Sequence, residues 1–565
     1  MGTIVDAYNS HLLYALASSR VIFLMLFRRL RQTLFLLLTL AFMLPVLAVF
    51  SSWLPGGDSN GVAAQILREM RSTVLPDYLW TTLRLCVTVA VGVIVVGLTA
   101  AAAVTLFDFP GRKLFEWALL LPMAIPAYVV AYAYTDFLQF AGPFQTLIRD
   151  VFGLEGRVFP EVRSEGGAAL VFIFALYPYV YLLARTALGE RASQLMEAAR
   201  LLGAPMRRRI LEVALPLARP AVAAGTALAL METLADFGVS SYFGIQTFTA
   251  GIYKAWLSMD NRIAAAQLAT LLLAFVALLL FLEHRAEKRM RFSATRGTRA
   301  GSLDARPLRL HGRAKWLAWW VCSAPIVMGF VLPVLFMLRP LVADWSVLSW
   351  GPFLGWTLNS LRLGALSAVL AVALALVLAF NLRRRSDWTT RWTVQLVSLG
   401  YAVPGAVIVV GLLLPVGWLQ SVAPQSGVGY VMTATSLGLV WAYLVRFCAV
   451  ALQSVQSGYA RIPLSFDDSA RMLGTGDMAL LRRVHWPLLK RSTAAATLLV
   501  FVDVMKELPA TLVLRPFNSD TLAVVAYQLA RDERLGEAAL PSLALVLVGL
   551  IPVVMLSRTL RAPAH

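Results

Sequence analysis

Charge is scarce in this sequence. Only 14% of the 565 residues are charged, against 59% hydrophobic. A soluble chain of this length would divide into about three or four domains with charged surfaces. A mean hydropathy of +0.72 excludes that and points to a polytopic membrane protein, built from spans of ~20 apolar residues. Cysteine is nearly missing. Cys86, Cys322 and Cys448 all lie in apolar runs, which excludes a disulfide framework or a metal-ligand spacing and leaves small core residues. The five histidines, at 11, 284, 311, 485 and 565, are scattered, read as structural or solvated, and form no cluster for a tight metal site. No G-x-x-x-x-G-K-[ST] occurs, so nothing in this chain cradles nucleotide phosphates.

Acids are also few, 31 against 50 Lys and Arg, for a net charge of +19. Such an excess can mark a nucleic-acid partner, but its distribution excludes one here. Twelve apolar segments are expected near 33–53, 83–107, 115–139, 168–187, 217–237, 263–283, 316–338, 360–381, 394–415, 430–452, 488–508 and 537–557. With both termini cytoplasmic, 35 of the 50 basic residues fall on the inner side. That is a positive-inside pattern, and basic loops suit anionic lipid headgroups. The opening "RRLRQTLFLLLTLAFMLPVLAVF" has the charge-then-apolar order of a signal peptide. It lacks a convincing small-residue cleavage site and reads as a retained first span.

A basic, polar stretch separates the sixth and seventh spans. It divides the chain into a first half, 1–290, a linker, 291–313, and a second half, 314–565. The halves repeat each other. "TTLRLCVTVAVGV" at 81 resembles "NSLRLGALSAVLA" at 359, and "MAIPAYVV" at 123 resembles "YAVPGAVIV" at 401. Six spans per half give both halves the same orientation, a parallel duplication rather than an inverted one.

The charged loop after the fourth span of each half carries the clearest signal. In "EAARLLGAPMRRRILEVALP", Glu197 is followed by Gly203 and Pro216. In "DSARMLGTGDMALLRRVHWP", Asp468 is followed by Gly474 and Pro487 at the same spacing, 271 residues on. Both read as a helix–turn–helix. Ser193, and Ser465 with Asp468 in a capping box, are candidate caps. Gly203 and Gly474 suit a left-handed helix terminus, and Pro205 suits a new helix start. Pro216 and Pro487 punctuate the start of the next span. Small residues at 198, 199 and 470 leave a face that another protein can approach closely.

This pattern resembles the Glu-Ala-Ala loop of ABC importer permeases. Glu197, Ala198 and Ala199 with Gly203 and Pro216 match it closely. Asp468, Ser469 and Ala470 with Gly474 and Pro487 depart from it by a shortened acid and a serine. The resemblance implies an all-α fold of two tandem six-helix type I importer repeats. It also implies coupling loops over 190–216 and 461–487, each docking on an ATPase subunit, with the two interfaces unequal. The implied partners are two ATP-binding subunits, which bring ATP and Mg, a periplasmic or surface binding protein, and lipids. The chain itself would be no enzyme, would bind no cofactor, and would sit in the bacterial inner membrane.

The same 271-residue offset relates Glu232 and Asp236 to Asp503 and Glu507. Each pair is spaced i, i+4, on one helix face near the end of a fifth span. An acid at membrane depth costs about 2.5–3.5 kcal/mol, so four in symmetry-related places point to a water-filled cation path. Acids simply solvated at outer helix ends are the other reading. "LADFGVSSYFGIQTFTAGIYKAW" and "KELPATLVLRPF" resemble the ferric-iron branch of fused permeases, which implies transient iron(III) at these carboxylates. A hard cation prefers oxygen donors, and Tyr242 and Tyr253 are further candidates or ordinary interface aromatics. Thiamine, polyamine or phosphonate transport by the same architecture is the alternative. A secondary transporter driven by an ion gradient is a more distant one, which leaves the matched loops unexplained.

Overall fold

The computed structural model describes residues 29–53, 62–189, 193–294, 307–343, 345, 350–384 and 387–561. The first half comprises α1 (Arg29–Trp53), α2 (Leu75–Leu106), α3 (Arg112–Ala124), α4 (Ala127–Phe152) and α5 (Glu165–Ala187). The short α6 (Ser193–Leu201), long α7 (Met206–Ala235), short α8 (Gly238–Tyr242) and α9 (Arg262–Glu283) follow. The second half opens with α10 (Arg313–Ala343), α11 (Trp350–Arg384), α12 (Trp388–Ser398), α13 (Gly405–Val422) and α14 (Ser436–Ala460). It ends with α15 (Leu464–Met472), α16 (477–506), α17 (Pro509–Leu514), α18 (Leu522–Arg531) and α19 (Leu535–Met555).

Among the described residues, ten helices are long and apolar enough to cross a membrane, and α3 with α4 form a further segment bent by 88°. The remaining expected span is α16, which is as long as α7 but carries Lys490, Arg491, Asp503 and Lys506. These elements match the twelve segments expected from the sequence one for one.

Two spans are broken where the sequence shows only a repeat. Pro126 and Pro404 both stand at helix starts with φ −59° and ψ 141°. The residue before a proline is driven out of the helical region. Ile125 (ψ 125°) and Val403 (ψ 120°) are accordingly extended, each ending a short 3-10 turn.

The repeat extends to the backbone. α6 and α15 start and stop at residues 271 apart, and so do α7 and α16. Pro216 and Pro487 do not mark a span start as the sequence suggests; each lies inside a continuous helix. Proline has no N–H for the usual bond to the residue four back. A π-turn at Ile210–Ala214 or Leu481–His485 precedes it, with Leu215 N–H bonding Ile210 O and Trp486 N–H bonding Leu481 O. The wider turn shifts the hydrogen-bond register, so the helix passes the proline without ending.

The halves interlock through their first helices. α1 lies on the second half: Trp441 Nε1 donates to Ala41 O at 3.0 Å, Thr39 meets Thr393 at 2.7 Å, and Arg31 pairs with Asp387. α10 lies on the first half: Tyr134 Oη donates to Met328 O at 2.6 Å, and Phe137 stacks on Phe336 at 3.9 Å. The helix of the sixth span runs on to Ala294, inside the expected linker, and the next begins at Arg313. Between them β2 (Leu308–Arg309) pairs in parallel with β1 (Phe107–Asp108), tying the linker to the foot of α2.

α19 crosses the break between α3 and α4 at Gly549, where an added Cβ would lie 2.1 Å from Ala124 O. The opposing atom is backbone and cannot swing aside. Gly549→Ala should therefore cost about 1–3 kcal/mol by overpacking, read as a lowered melting temperature in detergent.

Candidate functional site

The two charged loops end in matching tips. Gly203 and Gly474 have φ of +77° and +76°, the left-handed conformation that only glycine adopts without strain. Ala204 N bonds Ala199 O and Gly203 N bonds Arg200 O; Thr475 N bonds Ala470 O and Gly474 N bonds Arg471 O. This is the Schellman pairing in both copies. A side chain at either glycine costs ~1–2 kcal/mol locally and turns the tip. Gly203→Val and Gly474→Val should each lower the melting temperature only slightly, by that local strain, and leave most of the protein folded.

The helix starts differ from expectation. α15 begins at Leu464, behind Pro463, with no side-chain cap, so Ser465 and Asp468 form no capping box. Asp468 instead pairs with Arg471, and Glu197 with Arg200, both at 4.0 Å. The Ser193 side chain lies outside the described residues. Ala198 and Ser469 are exposed and Ala199 is half-buried, but Ala470 faces its own bundle. The open surface is provided by the tips: Leu201 and Leu202 are 84% and 87% exposed, and Met472 and Leu473 are 88% and 86%. Sequence reasoning passed over these four. The repeated apolar pair just before each glycine was the available signal.

The four carboxylates stand at or within a turn of the C-terminal ends of α7 and α16, but they face a cavity rather than an open surface. Glu232, Asp236, Asp503 and Glu507 all line one cavity of about 270 Å³ between the halves. Their roles differ. Asp236 accepts Val239 N at 2.8 Å, at the start of α8. Glu507 is buried, accepts Ala510 N at 2.8 Å and Thr511 N at 3.0 Å, and so caps α17. Glu232 accepts the Tyr401 hydroxyl at 2.6 Å. Among the described residues no three His, Cys, Asp or Glu side chains come close enough to hold a metal ion. The carboxylates thus line a cavity rather than form a ready ligand set.

Two cations share the cavity. Arg446, in the middle of α14, approaches Glu507 Oε1 at 3.6 Å. Lys506 Nζ donates to Met123 O at 2.8 Å. Tyr128, Tyr179 and Tyr401 add phenol groups to the wall. An arginine inside an apolar span was the signal for the first of these. Tyr242 and Tyr253 are interface aromatics: Tyr242 stacks under Arg163 and Tyr253 Oη donates to Pro509 O at 2.6 Å.

A helical membrane bundle of two repeats, with a polar cavity between them and paired tips at one end, is a transport permease. The comparisons with known proteins agree. Residues 93–292 match the binding-protein-dependent transport system inner membrane component family. An Fe(3+)-transport system permease of Haemophilus influenzae is 26% identical over 86% of this chain and 90% of its own length. A probable ABC transporter permease of Sinorhizobium fredii is 22% identical over 92% and 93%. A putative 2-aminoethylphosphonate transport system permease of Salmonella typhimurium is 28% identical over 33% of this chain and 66% of its own length. The chain is similar to inner-membrane permeases of binding-protein-dependent ABC transport systems and carries no ATPase motif of its own.

Proposed function

We propose that this permease takes iron(III) from a binding protein on the outer side and is driven by two separate ATP-binding subunits on the cytoplasmic side. The observation that carries the reading is the cavity, where four carboxylates from repeat-related positions converge with three tyrosines between the halves. Oxygen donors suit a hard trivalent cation. Loose placement suits passage, because a tight site would retain the ion. The carboxylates outnumber Arg446 and Lys506 by two, leaving room for a cationic cargo. The relative from Haemophilus influenzae, similar along most of the chain, supports the same substrate.

The cycle follows from the geometry. A loaded binding protein docks on the outer face. Closure of the ATPase pair moves the tips at 201–203 and 472–474. α7 and α16 run unbroken from those tips to the cavity acids, so tip movement shifts the cavity wall. Hydrolysis resets the pair. No covalent step falls to the permease.

A second reading has its own support. Arg446 and Lys506 offer counter-charges to an anionic group beside the acids, which suits a zwitterion such as 2-aminoethylphosphonate. The test is uptake by proteoliposomes containing the permease, its ATPase subunits and its binding protein, supplied in turn with iron(III), thiamine, a polyamine and 2-aminoethylphosphonate. ATP-dependent accumulation of iron(III) alone is expected. Accumulation of the phosphonate and not iron would overturn the substrate assignment.

A further inference from the structure

The two tips are nearly identical, but their anchoring is not. Beneath α15, Asp467 is buried and bonded from two directions. Arg383, at the foot of α11, donates Nε to Oδ2 at 2.8 Å and Nη2 to Oδ1 at 3.0 Å. His485, in the π-turn of α16, meets Oδ1 at 3.0 Å through Nε2. The other His485 nitrogen faces the Tyr459 hydroxyl at 3.3 Å. Arg383 also donates to the carbonyls of Tyr459, Ile462 and Pro463 at 3.0–3.1 Å. All five of its N–H groups are thereby used. Burial alone would raise the Asp467 carboxyl, yet Arg383 and His485 outweigh it and hold it below the ordinary carboxylate value. A further ion pair, Arg384 with Asp477, ties α11 to the start of α16.

The repeat supplies the control. The 271-residue offset maps Asp467, His485 and Tyr459 onto Met196, Ala214 and Leu188. The offset between Pro126 and Pro404, 278 residues, maps Arg383 onto Thr105. Met196, Ala214 and Leu188 are all buried, so where the second half places Asp467, His485 and Tyr459 the first half places apolar side chains. An apolar contact is non-directional and slides. A buried, fully bonded network fixes one geometry.

We propose that Asp467, held by Arg383 and His485, is a positioning residue that clamps the second coupling helix rigidly to the bundle, while the first rides on a compliant apolar joint. The two ATPase-facing loops then differ in task. The second transmits displacement directly, and the first accommodates the motion. This rests on the reading that both tips dock on ATPase subunits.

The test has two arms. In the first, a spin label is placed at Leu202→Cys or Leu473→Cys in the full chain without ATPase subunits. The native thiols Cys86, Cys322 and Cys448 are buried and escape labelling. The label at 473 should be the less mobile, and Asp467→Asn should bring it to the mobility seen at 202. In the second arm, the complete complex with its binding protein is assayed for substrate moved per ATP hydrolysed. Asp467→Asn should lower that ratio at least ~10-fold, the loss of a charge-assisted bond, with both ATPase subunits retained. Met196→Leu, a volume-conserving change at the matching place, should change it less than about 2-fold. If Asp467→Asn fails to fold, Arg383→Lys keeps the charge, loses the fork and tests the same point. Equal mobility at the two tips in the parent chain, or wild-type coupling in the Asp467→Asn or Arg383→Lys complex, would overturn the clamp. Failure of ATPase subunits to bind the unaltered chain would instead sink the docking reading and leave the label comparison intact.

Discussion

Leu202→Asp combined with Leu473→Asp is expected to strip both ATPase subunits from the permease and abolish transport, while the permease alone keeps its melting temperature. Both leucines are almost fully exposed in the isolated chain, so neither contributes packing that a polar substitution would remove. In the proposed complex, docking buries them. A buried leucine is worth about 1.5–3 kcal/mol, which is ~10–100-fold in affinity per tip. Aspartate adds the cost of desolvating a charge with no partner. The double variant therefore loses most of the binding at both ends, and each single variant should show a smaller, measurable drop in co-purified ATPase. Retained ATPase at wild-type levels in the double variant would remove the tips from the interface.

The second large effect concerns the cavity. Glu232→Gln with Asp503→Asn should reduce iron(III) uptake at least ~10-fold, because each lost charge–ligand interaction is worth about 1.5–3 kcal/mol. Assembly should survive, since neither residue caps a helix. Glu507→Gln should behave differently. Its carboxylate accepts Ala510 N, Thr511 N and the Thr511 hydroxyl and faces Arg446. An amide turns a donor toward that set and removes the carboxylate nearest to Arg446, a loss of about 1–3 kcal/mol. The expected readout is a fall in folded protein before any transport measurement. If both variants fold and transport normally, the carboxylates are not on the path. If Glu232→Gln with Asp503→Asn unfolds the chain, their role is structural.

The fold was legible wherever one physical signal dominated. Apolar runs located all twelve segments, α16 among them in spite of its charges. The coupling loops were legible because two copies at one spacing reinforce each other, down to the left-handed glycines. The capping box at 465–468 was misread because Pro463 holds the N-cap position and the helix starts at Leu464, before Ser465. The four acids were found by the repeat, but their neighbours were not. Arg446 and Tyr401 have no polar counterpart in the first half, where Ala175 and Met123 stand, so a search for symmetry passes over them. Arg383, Asp467 and His485 escaped for a different reason. They come from three separate helices, and each alone looks like a solvated loop charge.

The central claim is that a separate ATPase drives this permease through its two tips. Membrane vesicles containing the full complex and its loaded binding protein can be depleted of ATP while the ion gradient is kept, or given ATP after an ionophore has collapsed the gradient. The account predicts that uptake stops in the first condition and continues in the second. Uptake that persists without ATP and stops with the ionophore would contradict it.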